Sequence, residues 1–177
     1  MEELAQAVGI VAMAFNILSY QFKKRESVII CHLFGSTLFA ISFFMLGAYT
    51  GGILNAVDTV RGLVFYDKKK LKADSPVWIA VFIIIYVLSY IATFTLFSKE
   101  FTLFNAVIEL LPVIGLTAMT VGYSKDNSKA IRLSGLISSP SWLIYNVANV
   151  AIGAIICEIL SLISIALGII RHDIKRK

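Results

Sequence analysis

The chain has 177 residues, 58% of them hydrophobic and 15% charged, with a mean hydropathy of +0.84. A soluble domain of this length needs far more polar surface, so the composition excludes that class. The formal net charge of +5 is gathered in loops between apolar blocks, a pattern of membrane topology and not of nucleic-acid binding.

The apolar residues fall into seven blocks: 4–22, 28–46, 50–66, 77–97, 101–123, 133–150 and 154–170. A helix needs roughly 17–25 such residues to cross ~30 Å of hydrocarbon, and unbroken apolar runs do not suit the alternating strands of a barrel. Block one follows an acidic start, MEELAQ, so it reads as a retained helix and not as a cleaved signal peptide. Block two carries Cys31 and His32 near one end, and the histidine reads as interfacial. Block three, GGILNAVDTVRGLVFY, is apolar overall yet holds Asn55, Asp58 and Arg61. Block four, PVWIAVFIIIYVLSYIATFTLF, has neither glycine nor charge and reads as lipid-facing.

Block five places Glu109 mid-membrane if it begins at 101, but near the outer surface if its helix begins at Asn105, a candidate N-cap; the sequence leaves both readings open. Block six contains Pro140 in the run SSPS, expected to bend the helix as a hinge or as a static kink. Block seven holds Cys157 and Glu158 near its start. Cys31 and Cys157 fall at opposite membrane faces, too far apart for a disulfide, and no metal-ligand spacing is present.

The basic residues set the topology. Lys23, Lys24 and Arg25 follow block one; Lys68, Lys69, Lys70 and Lys72 follow block three; Lys125, Lys129 and Arg132 follow block five; Arg171, Lys175, Arg176 and Lys177 close the chain. Only Lys99 falls on the other side, and Arg61 lies within a block. The positive-inside rule then puts the N-terminus outside and the C-terminus in the cytoplasm.

The chain also repeats. ELAQAVGIVAM, residues 3–13, matches ELLPVIGLTAM, residues 109–119, at Glu, Leu, Gly, Ala and Met. With an adjusted offset Phe39 falls opposite Trp142, Asn55 opposite Glu158 and Asp58 opposite Ser161. The expected fold is an all-α membrane protein of two parallel three-helix bundles, residues 1–70 and 101–177, joined by a linker helix within 71–100 that restores orientation.

Two tandem three-helix units joined by an inversion helix, with Trp142-x-x-Tyr145 in one repeat and Asn55 in the other, resemble the SWEET and PQ-loop transporter superfamily. ELLPVIG (109–115), ILNAVDT (53–59) and WLIYN (142–146) more closely resemble the YgjV-like bacterial inner-membrane protein family over nearly the full length. Two positions depart from the superfamily pattern: Tyr20-Gln21 stands where PQ-loop proteins carry Pro-Gln, and Glu158 stands where sugar carriers have an asparagine. The resemblance implies a multi-pass protein of the bacterial inner membrane.

At 100° per residue Gly51, Asn55, Asp58 and Gly62 share an arc of about 60°, with Arg61 at its edge. Ala154, Glu158, Ser161 and Gly168 share a second face, and Ser138, Ser141, Trp142, Tyr145 and Asn149 lie on a third. Three polar stripes turned inward outline a solute path. Asn55, Glu158, Trp142, Tyr145, Asn149, Ser138 and Ser161 are the candidate solute-binding residues, with hydrogen-bonding glue between helices the plain alternative for Asn55. Glu158 is the candidate titrating group, since a carboxylate within a span is costly unless paired or watered. Asp58 and Arg61, three residues apart, form a structural ion pair or a coupling pair.

No catalytic motif, phosphate loop, metal cluster or cofactor signature is present. The expectation is therefore a non-enzymatic transporter or facilitator of a small polar solute, with or without proton coupling. Its partners are the lipid bilayer and the solute; a monomer suffices, with oligomers left open. The rival is a receptor or assembly factor that keeps the fold without transporting.

Overall fold

The computed structural model describes residues 2–45, 49–73, 75–96, 99–148 and 152–174. Seven α-helices follow one another: α1 Glu2–Ser19, α2 Arg25–Met45, α3 Tyr49–Tyr66, α4 Pro76–Thr95, α5 Leu103–Ser124, α6 Ser128–Ala148 and α7 Ile152–Ile169. A π-helical turn, Ile170–Ile174, continues α7.

The helix starts follow local chemistry. The Ser75 hydroxyl accepts from Val77 N at 3.3 Å, and Pro76, which has no amide hydrogen to lose, occupies the first turn of α4. The Thr102 hydroxyl accepts from Asn105 N at 3.1 Å and caps α5. This corrects the expectation that Asn105 is the cap: its amide instead donates to Glu100 O. Asn127 Oδ1 accepts from Ala130 N at 2.8 Å, so α6 begins five residues before the apolar block and takes Lys129 and Arg132 into the helix.

Four helical stretches are long and apolar enough to cross a membrane by themselves: Arg25–Met45, Pro76–Thr95, Leu103–Ser124 and Ala154–Ile174. Helix α1 is apolar over Glu3–Ser19 but shorter, whereas α3 and α6 owe their lower hydropathy to inward-facing groups. In α3 these are Asp58 and Arg61, and in α6 Arg132, Ser138, Ser139 and Ser141. Leu18, Phe34, Ile84, Leu88, Ile144 and Ile163 point outward instead, as a surface facing hydrocarbon requires.

Among the described residues α2 packs between α1 and α3, α6 between α5 and α7, and α4 lies along α5. The two groups meet where α1 touches α7 and α3 touches α5. Small residues set the closest crossings. A β-carbon on Gly115 would lie 3.2 Å from the Ser138 hydroxyl, a tight contact, and one on Gly122 would lie 2.5 Å from that of Ser134, where something would have to shift, so small residues set how closely α5 and α6 approach. Between the groups an apolar core forms around Phe65, Phe82, Tyr86, Leu116, Met119 and Tyr123. Through Phe82 and Tyr86, α4 contributes to that core although most of its surface is exposed.

Candidate functional site

The basic loops gather at one end of the bundle and fasten it. Arg132 Nε and Nη2 donate to the two Asp173 carboxylate oxygens at 2.9 and 2.6 Å, Nη1 donates to Phe22 O at 3.0 Å, and Nη2 also reaches the Ser128 hydroxyl at 3.2 Å. Ser128 in turn donates to Lys23 O. Arg25 donates to Lys125 O, Phe65 O and Tyr123 O. The Gln21 amide donates to Ser164 O at 2.7 Å and its hydroxyl at 2.9 Å, and the Ser164 hydroxyl donates to Ile17 O. Gln21, read in the sequence only as half of a motif, thus stitches α1 to α7. Lys68 Nζ donates to Ser124 O at 3.0 Å and pairs with the exposed Asp126 at 2.5 Å. That hydrogen bond and charge hold the Asp126 carboxyl below the usual carboxylate range.

Above this fastened end lies a cavity of about 200 Å³. Six helices line it, from Asn16 on α1 to Glu158 on α7, and α4 takes no part. Of the residues proposed from the sequence, Asn55, Asp58, Arg61, Ser138, Trp142, Glu158 and Ser161 all line it. Tyr145 does not. One helical step of 300° beyond Trp142, it turns toward a second cavity of about 240 Å³ beside α4. Asn149 lies outside the described residues. Pro140 sits within an unbroken α6.

Trp142 lines both cavities, as do Leu54 and Leu116, so these three side chains are the partition between them. The Trp142 and Tyr145 rings meet edge to face at 5.6 Å across that wall. Glu109, left open in the sequence, lines the second cavity and pairs with Lys99 at 2.5 Å.

The floor of the central cavity is a charged network between the two helix groups. Arg61 Nη2 donates to Asp58 Oδ2 at 3.1 Å; Nη1 donates to Leu116 O at 3.1 Å, the Tyr86 hydroxyl at 3.2 Å and the Thr120 hydroxyl at 3.5 Å. The guanidinium also lies 5.0 Å from the Tyr123 ring centroid, a cation–π distance. Asp58 Oδ1 and Arg61 Nε are buried with no hydrogen-bond partner among the described residues.

His32 belongs to this floor and not to the interface. The single proton of the Ser19 hydroxyl goes to Asn16 O at 2.6 Å, so Ser19 accepts from His32 Nε2 at 2.7 Å. His32 Nδ1 shares a hydrogen bond of 2.5 Å with the Tyr123 hydroxyl. Tyr86, Thr120 and Tyr123 escaped the sequence reading because each is a plain member of an apolar run. Only the fold brings Tyr86, 25 residues away, to Arg61.

The profile of a family described as bacterial inner membrane protein, Imp-YgjV, matches residues 3–176. The chain is 28% identical to inner membrane protein YgjV of Escherichia coli K12 over 175 residues, covering 95% of this chain and 84% of that protein. No solved structure matches. The match along almost the whole chain, together with helices able to span a bilayer, gives the assignment: this is a multi-pass protein of the bacterial inner membrane and belongs to the YgjV family.

Proposed function

We propose that the protein carries a small polar solute across the inner membrane by alternating access around the central cavity. One observation carries the reading: a cavity of about 200 Å³, with charged and hydrogen-bonding side chains set in an apolar wall, lies between two helix groups and is lined by six of the seven helices. A water occupies about 30 Å³ in the liquid and an engineered apolar cavity of about 150 Å³ takes benzene, so the space suits a solute of roughly ten non-hydrogen atoms or fewer. On this reading the two groups are parallel three-helix repeats joined by α4, the SWEET-like arrangement, with the N-terminus outside and the basic end in the cytoplasm. The protein does no chemistry on its solute and works as a facilitator, or coupled to protons through Glu158.

The fastened end gives the mechanism its gate. Arg132, Arg25, Lys68 and Gln21 each tie residues 1–73 to residues 103–174. Opening toward that side therefore means parting these contacts while the opposite side closes, with Pro140 in α6 as a bending point that lacks its backbone donor.

Uptake of labelled solutes into proteoliposomes, with and without a pH gradient, tests the proposal. Asn55→Ala and Glu158→Ala should abolish flux in a protein that still folds and inserts; wild-type flux in both variants would remove the cavity from the transport path. A ligand-induced rise in melting temperature with no flux for any solute would assign a receptor in place of a carrier. Tags at the N-terminus and at Lys99 should react from the periplasm, and a cytoplasmic N-terminus would break the parallel-repeat reading.

A further inference from the structure

The central cavity holds three groups of formal charge: Asp58, Arg61 and Glu158. Arg61 is committed to Asp58 and to acceptors on α4 and α5. Among the described residues no lysine or arginine lies within ion-pair distance of Glu158. With both carboxyls ionised and His32 uncharged, the lining carries one negative charge in excess. An uncompensated carboxylate inside a span is expensive, and a buried polar atom without a partner calls for an unseen one. Asp58 Oδ1 is such an atom, buried and unpartnered at the same cavity. Two carboxyl groups on different helices, α3 and α7, thus face the cavity: Asp58 with one oxygen that no described residue donates to, and Glu158 with no cationic partner among the described residues.

The remaining wall is aromatic. Trp142, Phe39 and Phe43 line the same space. Aromatic faces attract cations, the more so where water is excluded, whereas an anion meets both the carboxylates and the π-faces and is repelled twice. Arg61, the cation of the lining, is already turned to Asp58 and Leu116 O and is not free to receive an anion.

Resting on the carrier reading above, we infer that the solute bears a cationic amine, whose ammonium is received by the Asp58 and Glu158 carboxylates while its carbon skeleton lies against Trp142 and Phe39. Both repeats then share in recognition: α3 and α7 supply the charge, α2 and α6 the aromatic surface. Arg61 holds Asp58 in place through their ion pair, and Arg61 Nε is left as a donor for a hydroxyl or carbonyl elsewhere on the solute.

Three probes of nearly equal size separate charge from shape: 4-aminobutan-1-ol, butane-1,4-diol and 4-hydroxybutanoate. Binding to the purified full-length protein in lipid nanodiscs is measured by calorimetry, and flux of each labelled compound in proteoliposomes. The expected result is a preference of tenfold or more for the amine over the diol, with no binding of the acid. Glu158→Gln should reduce that preference to near unity while the melting temperature is kept. Asp58→Asn should weaken amine binding several-fold and leave the weak binding of the diol unchanged. Binding and flux of the diol equal to those of the amine would overturn the charge assignment and leave the carrier reading standing; a neutral Glu158 gives that same result. An amine preference that survives in both variants overturns the assignment to these carboxylates. Absence of binding by all three probes removes the cavity as a solute site, and this inference with it.

Discussion

Arg61 and Arg132 are both buried, at 3% and 1% exposure, and both face an aspartate, yet their surroundings differ. Arg132 has every nitrogen matched: a bidentate pair with Asp173, the Phe22 carbonyl and the Ser128 hydroxyl. Around Arg61 the matching is incomplete, with its Nε and the outer oxygen of Asp58 left over. A fully satisfied network rigidifies what it joins, while a buried polar atom left over calls for an explanation, such as a water or a ligand. The first arginine closes an end of the bundle; the second waits beside a cavity.

The largest effect that tests this contrast is expected at the closed end. Arg132→Ala strands the Asp173 carboxylate and should cost about 3–5 kcal/mol, read as a fall in melting temperature in detergent or nanodiscs. Arg132→Met combined with Asp173→Leu should recover most of it, because no buried charge then lacks a partner. An unchanged melting temperature in the alanine variant would mean that this end is not fastened by that pair.

At the cavity the expected losses are smaller. Asp58→Asn and Arg61→Gln should each cost about 1–3 kcal/mol, the penalty for a buried group left unsatisfied, since much of the Arg61 network outlives either change. The double variant should regain stability while amine binding stays weak. Recovery of both would make the pair purely structural and erase the contrast between the two arginines.

Gln21→Ala removes two hydrogen bonds that join α1 to α7. A loss of about 1–2 kcal/mol is expected, together with faster labelling of a cysteine placed at Ser161 from the basic side. Unaltered labelling would place the gate elsewhere.

The smallest effect belongs to Asp126→Asn at the rim, where the carboxylate is exposed and screened. At neutral pH the melting temperature of the variant should fall only slightly. The sign of the pH dependence is fixed, because a carboxyl held below its ordinary value near 3.8 adds stability above that pH and loses it as the pH falls through the lowered value. Wild type and Asp126→Asn should therefore converge in acid.

Much of this was legible in the chain. Seven apolar blocks became seven helices, and the stripe of Asn55 and Asp58 does face the interior, because a 3.6-residue period and the cost of polar groups in lipid are both written in one dimension. What stayed hidden needed contacts across sequence. Tyr86 lies in the run FIIIYVL and reads as one more apolar residue of a lipid-facing helix. Its hydroxyl finds Arg61 only because α4 lies on α5. Helix α6 begins early because of a side-chain cap at Asn127 that hydropathy does not register. His32 looked interfacial for want of its partners, which lie 13 and 91 residues away.

The π-helical turn also bears on how the protein is made. Arg132 and Asp173 are 41 residues apart, and ribosomes add about 5–20 residues per second. For roughly 2–8 s of every synthesis, then, the arginine has emerged and its carboxylate has not. During that interval α6 and α7 are completed while Arg132 lacks its carboxylate. A chain stalled before Asp173 stays in that condition, so the π-helical turn decides when Arg132 gains its partner.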